Sequence, residues 1–523
     1  MKLANYVCGE WKHGDGDGHT LIDPVTGEPL AAVSSNGIDM KAALDYARRK
    51  GTGALQQLSY SQRADLLAKI VDVLSANRAE YFEISKKNLG ATEADASFDV
   101  DGAIYTLKVY AKLGKPLEGK LIKDGATIPL SKTGVFQAQH FLKPLTGVAA
   151  FVNAFNFPAW GLWEKAAPAL LSGVAVLVKP ATPTAWLTQR MVDDVVKANI
   201  LPQGALSIVC GSARDLLDHV SEDDVISFTG SAQTARTIRT NANVVLHSVR
   251  INIEADSLNS AILGPDAAGT APFELLVKEV VREMTLKAGQ KCTAIRRILA
   301  PRQTALALGE AISTKLASVK VGNPRNAEVK CGPLVNKAQQ NSALEGLSQL
   351  DKEAKILFGG DRNFSPIDAD PAASCFVQPT LLLCERPLES RAVNEVEVFG
   401  PVATILPYDS PEEAIELARR GSGSLVASVF SDDSGFKRKA TLGIAPAHGR
   451  ILVADSAVGA NHTGHGNVVP TCLHGGPGRA GAGEELAGLR ALHLYHRRFV
   501  VQAGPDVIAE ISKEAVDAKA ISE

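Results

Sequence analysis

The chain, 523 residues long, is poor in the features that mark specialised classes of protein. Its formal net charge is only -2 and its lysines and arginines form no stripe, so it lacks the electrostatic footprint that nucleic acid or an anionic membrane surface requires. Long apolar runs are missing too: Ala166 to Val178 is broken by Pro168, Ser172 and Gly173 and is too short to span a bilayer. The opening stretch MKLANYVCGEWKHGDG holds no apolar core of signal-peptide length, and a cytoplasmic location is expected. Cysteine is scarce, with seven residues (Cys8, Cys210, Cys292, Cys331, Cys375, Cys384, Cys472) spaced widely and odd in number, which speaks against a disulfide framework and for free, mostly buried thiols. Neither an internal repeat nor a low-complexity tract is present. With 45% hydrophobic and 21% charged residues, what is left is a globular chain long enough for two or three domains and suited to small-molecule chemistry.

The apolar patterning is informative. Helical spacing from Leu55 to about Leu113, as in RADLLAKIVDVLSANRAEYFEIS, predicts a helical N-terminal layer. From Gly147 to Glu254 short strand-like runs (GVAAFVNAF, GVAVLVKP, GALSIVCG, DVISFTG, VVLHSVRINIE) alternate with helical ones (WGLWEKAAPALL, TAWLTQRMVDDVVKAN, ARDLLDHV, AQTARTIRTNA). Such alternation predicts an α/β fold with a doubly wound parallel sheet that binds its ligand at the carboxyl ends of the strands. A second alternating block runs from about Ala255 to Ala460 and predicts a second α/β domain. The terminal stretch ALHLYHRRFVVQ is β-prone and isolated, so its partner is either another subunit or the strand-like stretch near Thr133 to Leu142.

Several residues stand where chemistry is done. Asn156, in the NFP segment, lies between a strand and a helix at the ligand edge of the first sheet. Lys179 ends the next strand, and Thr182-Pro183 after it fits an N-cap with proline at the first helical position. A lysine there can hold a sugar hydroxyl or a phosphate, although taken alone it reads equally as a surface lysine. In FTGSAQTA, Gly230 allows close backbone approach and Ser231 opens a helix whose amides suit a pyrophosphate. GPGRAG, Gly476 to Gly481, matches a dinucleotide motif, but no apolar strand leads into it, proline sits inside it and GAGEE follows, so it reads as a loop. His462, His465, Cys472 and His474 lie close in sequence without a closed zinc spacing, so no metal is expected and the histidines are read as lining a pocket entrance.

Cys292, in AGQKCTAIRR, is the candidate nucleophile. A thiolate adds to an aldehyde to give a thiohemiacetal that yields hydride readily, but an unperturbed thiol near pKa ~8.5 needs help from nearby amides or cations, of which Lys291 is one candidate. Glu254 ends the last strand of the first block, where an acidic side chain is best explained by use: it can activate the water that hydrolyses a thioester.

NFP with WEKAAPALLSGVAVLVKPATPT, FTGS, the glutamate at Glu254, GQKCTA and VEVFGPV occur in that order, and the whole resembles the aldehyde dehydrogenase superfamily over nearly the entire chain. The tail GGPGRAGAGEELAGLRALHLYHRR resembles more narrowly the dehydrogenases of bacterial aromatic degradation that act on CoA-linked semialdehydes from ring cleavage. The resemblance implies Cys292 as nucleophile, Glu254 as general base for deacylation, and Asn156 with the Cys292 amide as holders of the oxyanion. It implies Lys179 on the adenosine ribose or its 2'-phosphate, Ser231 on the pyrophosphate and Glu397 on the nicotinamide ribose, with Phe155, Thr182, Gly230 and Phe399 completing the cofactor site. It further implies a Rossmann-like cofactor domain (1-254, with an oligomerisation hairpin near 125-145), a catalytic domain (255-460), and a return segment with a C-terminal oligomerisation strand (461-523), assembled as a homodimer.

Departures from the family pattern sharpen these expectations. Thr182 stands where many members carry a glutamate that repels a 2'-phosphate, so NADP is expected to be preferred and NAD accepted. Ala255, Asp256 and Ser257 replace the usual glycines after the base, and Lys287 replaces a usual asparagine. The expected reaction is NADP-dependent oxidation of a CoA-linked semialdehyde to the free acid. A CoA-acylating enzyme is the alternative, disfavoured because members of that type typically lack the glutamate. An inactive structural member of the fold is disfavoured by the presence of both thiol and base, and a cofactor-free cysteine hydrolase is separated by nicotinamide binding.

Overall fold

The structure, a computed structural model, describes residues 1-361 and 363-517; residues 518-523 of the expected terminal segment lie outside the described residues. Two seven-stranded sheets dominate it. Across the first, the strands run Arg250–Glu254, Val225–Thr229, Val148–Val152, Ala175–Lys179, Leu206–Ile208, Asn5–Val7 and Glu10–Lys12. The first five are parallel and the last two antiparallel. Their runs are continuously apolar because both faces are covered, as in Ala175–Lys179, where all but the last residue are buried. Register sets Val152 beside both Lys179 and Phe228, and Thr229 beside Glu254, so the carboxyl ends form one row.

Helices Tyr60–Ala76, Arg78–Leu89 and Glu93–Gly114 build the N-terminal layer and pack with Trp160–Ser172. Reciprocal capping boxes at Ser59/Gln62 and Thr92/Asp95 start two of them, and left-handed Gly90 ends a third. Trp160–Ser172 is apolar on nearly every side and buried from Gly161 to Ser172, as a helix clamped between sheet and helices must be. The second sheet runs Lys355–Phe358, Thr380–Leu383, Val402–Tyr408, Arg297–Pro301, Ser260–Leu263, Ser424–Phe430 and His448–Ala454, parallel apart from its first strand.

The C-terminal strand His496–Ala503 pairs with Gln137–Pro144 of its own chain over eight residues, in a four-stranded sheet with Leu121–Pro129 and Ala515–Asp517. Phe499 and Val500 on this outer strand remain exposed. Among the described residues no helix is long and apolar enough to cross a membrane.

Three local expectations need correction. VVLHSVRINIE is not one strand: Asn241 caps a short helix, Ala242–Leu246, and the strand starts only at Arg250, after left-handed Ser248. ARDLLDHV gives only a tight turn, Leu216–His219. Thr182 does not cap a helix; Thr182–Thr184 is a tight turn, the helix proper starts at Ala185, and the Thr182 hydroxyl donates to Gly211 O at 3.3 Å.

Candidate active site

Cys292 sits on a loop built under strain where the two sheets meet. Helix Ala271–Thr285 ends, and Lys287, Ala288 and Gly289 follow with φ of 53°, 51° and 69°. For the two non-glycine residues this conformation costs roughly 1–2 kcal/mol each. Only glycine suits the third position, since a Cβ on Gly289 would lie 2.3 Å from Gly400 O. The strain is held by directed bonds. Asp95 Oδ1 accepts from the Lys287 amide at 2.5 Å, and the Arg296 guanidinium donates to the carbonyls of Gly289, Lys291 and Gly400. Asn259 donates to the carbonyls of Cys292 (2.7 Å) and Ala294 (2.9 Å).

Around the thiol, one ligand atom each of Cys292, Glu254 and His474 lies within 4.8 Å of the others. Asn156 lines the same small cavity, and its Nδ2 donates at 3.0 Å to the carbonyl of Gln290 in the cysteine loop. Burial and then the Glu254 carboxylate push the Cys292 thiol well above its ordinary range. Burial would raise the Glu254 carboxyl as well, but His474, Lys165 and the thiol outweigh it and hold Glu254 below the usual carboxylate range. The resting pair is therefore a neutral thiol beside an ionised carboxylate, the starting point for proton transfer from sulfur to Glu254. Lys291 does not aid the thiol: its ammonium is buried 2.7 Å from Glu283.

Behind Glu254 lies a charged group that the sequence reading missed. Lys165 Nζ donates to Glu164 Oε1 (2.9 Å) and Thr229 Oγ1 (2.8 Å) and stands 3.6 Å from Glu485 Oε1. Burial and the neighbouring carboxylates Glu485 and Glu254 keep Glu164 well above its ordinary range despite Lys165. The signal was present in WGLWEKAAPALL, where an adjacent Glu and Lys interrupt an otherwise apolar buried helix. Asn259 was missed too; an amide two residues beyond Ser257 gives no sequence signal.

On the other side of the thiol opens a cavity of about 480 Å³, lined by Phe98, Tyr105, Phe157, Trp160, Val468 and Val469 with Cys292 at its base. Trp160 faces this space, whereas Trp163 is wholly buried in the core. Lys287 is buried, 4.5 Å over the Phe157 ring and 3.9 Å from Asp99, its charge depressed by burial and supported by Asp99 and Asp95.

The cofactor candidates line the row of strand ends. Connections from Val148–Val152 and Val225–Thr229 leave in opposite directions, which makes the crevice between these neighbours a topological switch point. Phe155 and Asn156 follow one strand, Gly230 and Ser231 the other. Ser231 caps helix Ala232–Arg239, accepting from the Thr234 amide. Lys179 is half-buried and makes no ion pair among the described residues, a cation left for an anion, with burial pulling it below its ordinary range. Phe155 and Phe399 meet edge to face at 5.7 Å, and burial lifts Glu397 to about 7 against the pull of Arg296. These residues fit a dinucleotide. One contact opposes it: Asp256 Oδ1 takes the Ala232 amide at 3.0 Å, the donor that a pyrophosphate would seek.

The remaining motifs resolve plainly. In the GPGRAG loop, Ala480 O accepts from the Ala255 amide, so the loop clasps the end of the Glu254 strand. His462, His465, Cys472 and His474 do not gather: His465 bonds Ser428, Cys472 is exposed, and His474 lies inside the site, not at an entrance. Among the described residues Glu164, His474 and Glu485 could group around an ion, but the Lys165 ammonium already occupies their midst.

A thiol, a carboxylate and a side-chain amide gathered at the junction of two parallel sheets, beside a nucleotide-type crevice, is the layout of a nicotinamide-using oxidoreductase. The profile of the Aldehyde dehydrogenase family matches residues 11-495, and the chain belongs to that family. The 3,4-dehydroadipyl-CoA semialdehyde dehydrogenase of Aromatoleum evansii is 65% identical over 479 residues, 91% of this chain and 93% of that protein. Betaine aldehyde dehydrogenase of Bacillus subtilis is 28% identical over 442 residues, 83% of this chain and 86% of that protein. Among solved structures, PnpE from Pseudomonas sp. WBC-3 shares the fold at a TM-score of 0.83 and 24% identity, covering 96% of this chain and 98% of its own. The betaine aldehyde dehydrogenase of Staphylococcus aureus, solved with NAD+, shares it at a TM-score of 0.82 and 24% identity, covering 96% of each chain.

Proposed function

We propose that the protein oxidises a CoA-linked semialdehyde of aromatic-compound degradation to the free carboxylic acid, with NADP as the preferred acceptor and Cys292 as nucleophile. The observation that carries this reading is the Cys292 thiol within 4.8 Å of the Glu254 carboxylate, in one cavity with Asn156. The substrate class rests on likeness to the Aromatoleum evansii enzyme.

Glu254 takes the proton of Cys292, and the thiolate adds to the aldehyde carbon. Asn156 Nδ2 and the Cys292 amide receive the oxyanion of the thiohemiacetal. Bound NADP supplies the hydride acceptor. Hydride loss leaves a thioester on Cys292; Glu254 gives up the thiol's proton to solvent, then takes a proton from the water that hydrolyses the thioester and passes it to the departing Cys292 thiolate, freeing acid and thiol.

For the cofactor, the Lys179 ammonium, without an ion pair among the described residues, and the absence of a carboxylate at Thr182 favour a 2'-phosphate. We assign residues 1-254 to cofactor binding, 255-460 to catalysis and the sheet carrying His496–Ala503 to assembly as a homodimer, supported by the exposed Phe499 and Val500.

The test is nicotinamide reduction with an aldehyde panel that includes a CoA-linked semialdehyde, NADP and NAD in parallel, Cys292→Ala as control and mass analysis of products. Cys292-dependent reduction giving a free acid is expected. An acyl-CoA product with Cys292 and Glu254 intact overturns the hydrolytic reading, and reduction by Cys292→Ala overturns the nucleophile.

A further inference from the structure

Glu254 has a second neighbour besides the thiol. His474 Nε2 lies 2.9 Å from Glu254 Oε2, with the imidazole only 2% exposed. Two contacts fix the ring: strand Leu473–Gly475 pairs with Glu484–Leu486, setting His474 opposite Glu485, and Trp160 meets the ring edge-on at 5.5 Å. Ligand atoms of His474, Glu164 and Glu485 lie within 4.8 Å of one another as well.

The charge balance around this point is uneven. Helix Trp160–Ser172 contributes Glu164 and Lys165, the facing strand Glu485, the first sheet Glu254, and the cysteine loop Cys292. The strand His448–Ala454, also packed here, contributes Arg450, which is engaged by the carbonyls of His465 and Asn467, and His448, whose ring bonds Ile444 O. Three buried carboxylates thus share one ammonium, and among the described residues Glu254 Oε1, Glu164 Oε2 and Glu485 Oε2 each lack a hydrogen bond. Ionised carboxylates crowded in this way repel, and one of them tends to take up a proton. A base that protonates is no longer a base, so Glu254 needs a positive or donating neighbour that the other two acids do not own.

We propose that His474 is a positioning residue for Glu254, holding its carboxylate beside Cys292 and keeping it ionised through thioester hydrolysis. This rests on the reading of Cys292 as nucleophile and Glu254 as base. His474 touches neither the thioester nor the water; it acts through Glu254, by the 2.9 Å contact of its Nε2 with Oε2.

The experiment compares wild type, His474→Phe, His474→Gln and Cys292→Ala, each with NADP and either a CoA-linked semialdehyde or propanal, whichever the wild type turns over. Phenylalanine keeps the ring against Trp160, and glutamine keeps a donor. For His474→Phe, the acid limb of the kcat profile should move up by about 1 pH unit or more, kcat at pH 7 should fall about tenfold or more, and KM should hold. A pre-steady-state burst of NADPH should persist, with an acyl adduct accumulating on Cys292 in acid-quenched samples read by mass. His474→Gln should recover most of the rate and return the acid limb toward that of wild type. An unmoved acid limb in His474→Phe, or a loss carried by KM alone, overturns this role while Cys292→Ala stays inactive. Activity surviving in Cys292→Ala overturns the role together with the reading it rests on.

Discussion

Asn259→Asp isolates what holds the cysteine loop. Asn259 is fully buried; its Nδ2 donates to Cys292 O at 2.7 Å and Ala294 O at 2.9 Å, while Oδ1 accepts from Ser257 Oγ at 2.7 Å and the Val426 amide at 3.0 Å. Aspartate keeps the volume and both acceptor contacts but turns the two donor contacts into oxygen against oxygen. Two buried carbonyls lose their partner, at about 1–3 kcal/mol each, and because a protonated carboxyl restores one of them the net loss of stability should be about 1–3 kcal/mol. Catalysis should suffer separately: the Cys292 carbonyl lies three residues beyond the left-handed segment that ends at Gly289, and a shift of ~1 Å in a reacting group costs on the order of 100-fold in kcat. Urea unfolding gives the first quantity and active-site-titrated kcat the second. Asn5→Asp is the control, since Asn5 is equally buried and donates to Lys12 O and Ser34 O far from the thiol, so it should lose stability and keep kcat. An Asn259→Asp enzyme within twofold of wild-type kcat, whatever its stability, would refute the claim that this amide sets the cysteine's position.

Three further outcomes are expected. Thr182→Glu should lower the NADP-to-NAD ratio of kcat/KM by tenfold or more, because a carboxylate facing Lys179 across the ribose repels a 2'-phosphate; a wild type equally efficient with both cofactors removes the preference at the outset. Asp256→Asn should lower KM for NADP several-fold by weakening the hold on the Ala232 amide and removing a negative charge from a helix N-terminus, and an unchanged or higher KM would count against a pyrophosphate at Ser231. Glu397, lifted to about 7 in the fold, binds a proton there that the unfolded chain has already released, so cofactor-free stability should fall as pH rises from about 4.3 toward 7. Glu397→Gln should flatten that fall, and identical slopes in denaturant titrations across the range would argue that the carboxyl is not perturbed.

Much of this was legible from sequence for a physical reason. Strands covered on both faces must be continuously apolar, so GVAVLVKP and DVISFTG announce themselves, and charged residues that end strands, Lys179 in GVAVLVKP and Glu254 in RINIE, stand out by contrast. Where a local signal competed with another, the reading failed. Val244 to Leu246 look like a strand until the Asn241 cap is counted, and Thr182-Pro183 looks like a helix start although the hydroxyl is turned to Gly211 O. The turn before Cys292 was invisible because lysine and alanine are poor choices for left-handed backbone, and the bond from Asp95, remote in sequence, helps make it tolerable together with those from Arg296. Likewise nothing local reveals that His474 and Glu485, in a glycine-rich tail, reach the Glu164-Lys165 pair; strand pairing and the burial of Trp160–Ser172 bring them there.

The electrostatics of the site divide labour between its two central residues. Burial raises every thiol it encloses, lifting Cys210 to about 12 with no acid beside it, and Cys292 carries in addition the repulsion of Glu254. A cysteine so placed is a weak nucleophile at neutral pH, protected at rest from adventitious oxidation and alkylation. In the proposed mechanism its activation therefore comes from removal of its proton at the moment of reaction, with the carboxylate that suppresses it as the acceptor. That acceptor is useful only if it starts ionised in a pocket crowded with other acids. The polar groups behind Glu254, His474 first and Lys165 after it, work toward that one condition, which is why a site named for its cysteine is controlled by the neighbours of its glutamate.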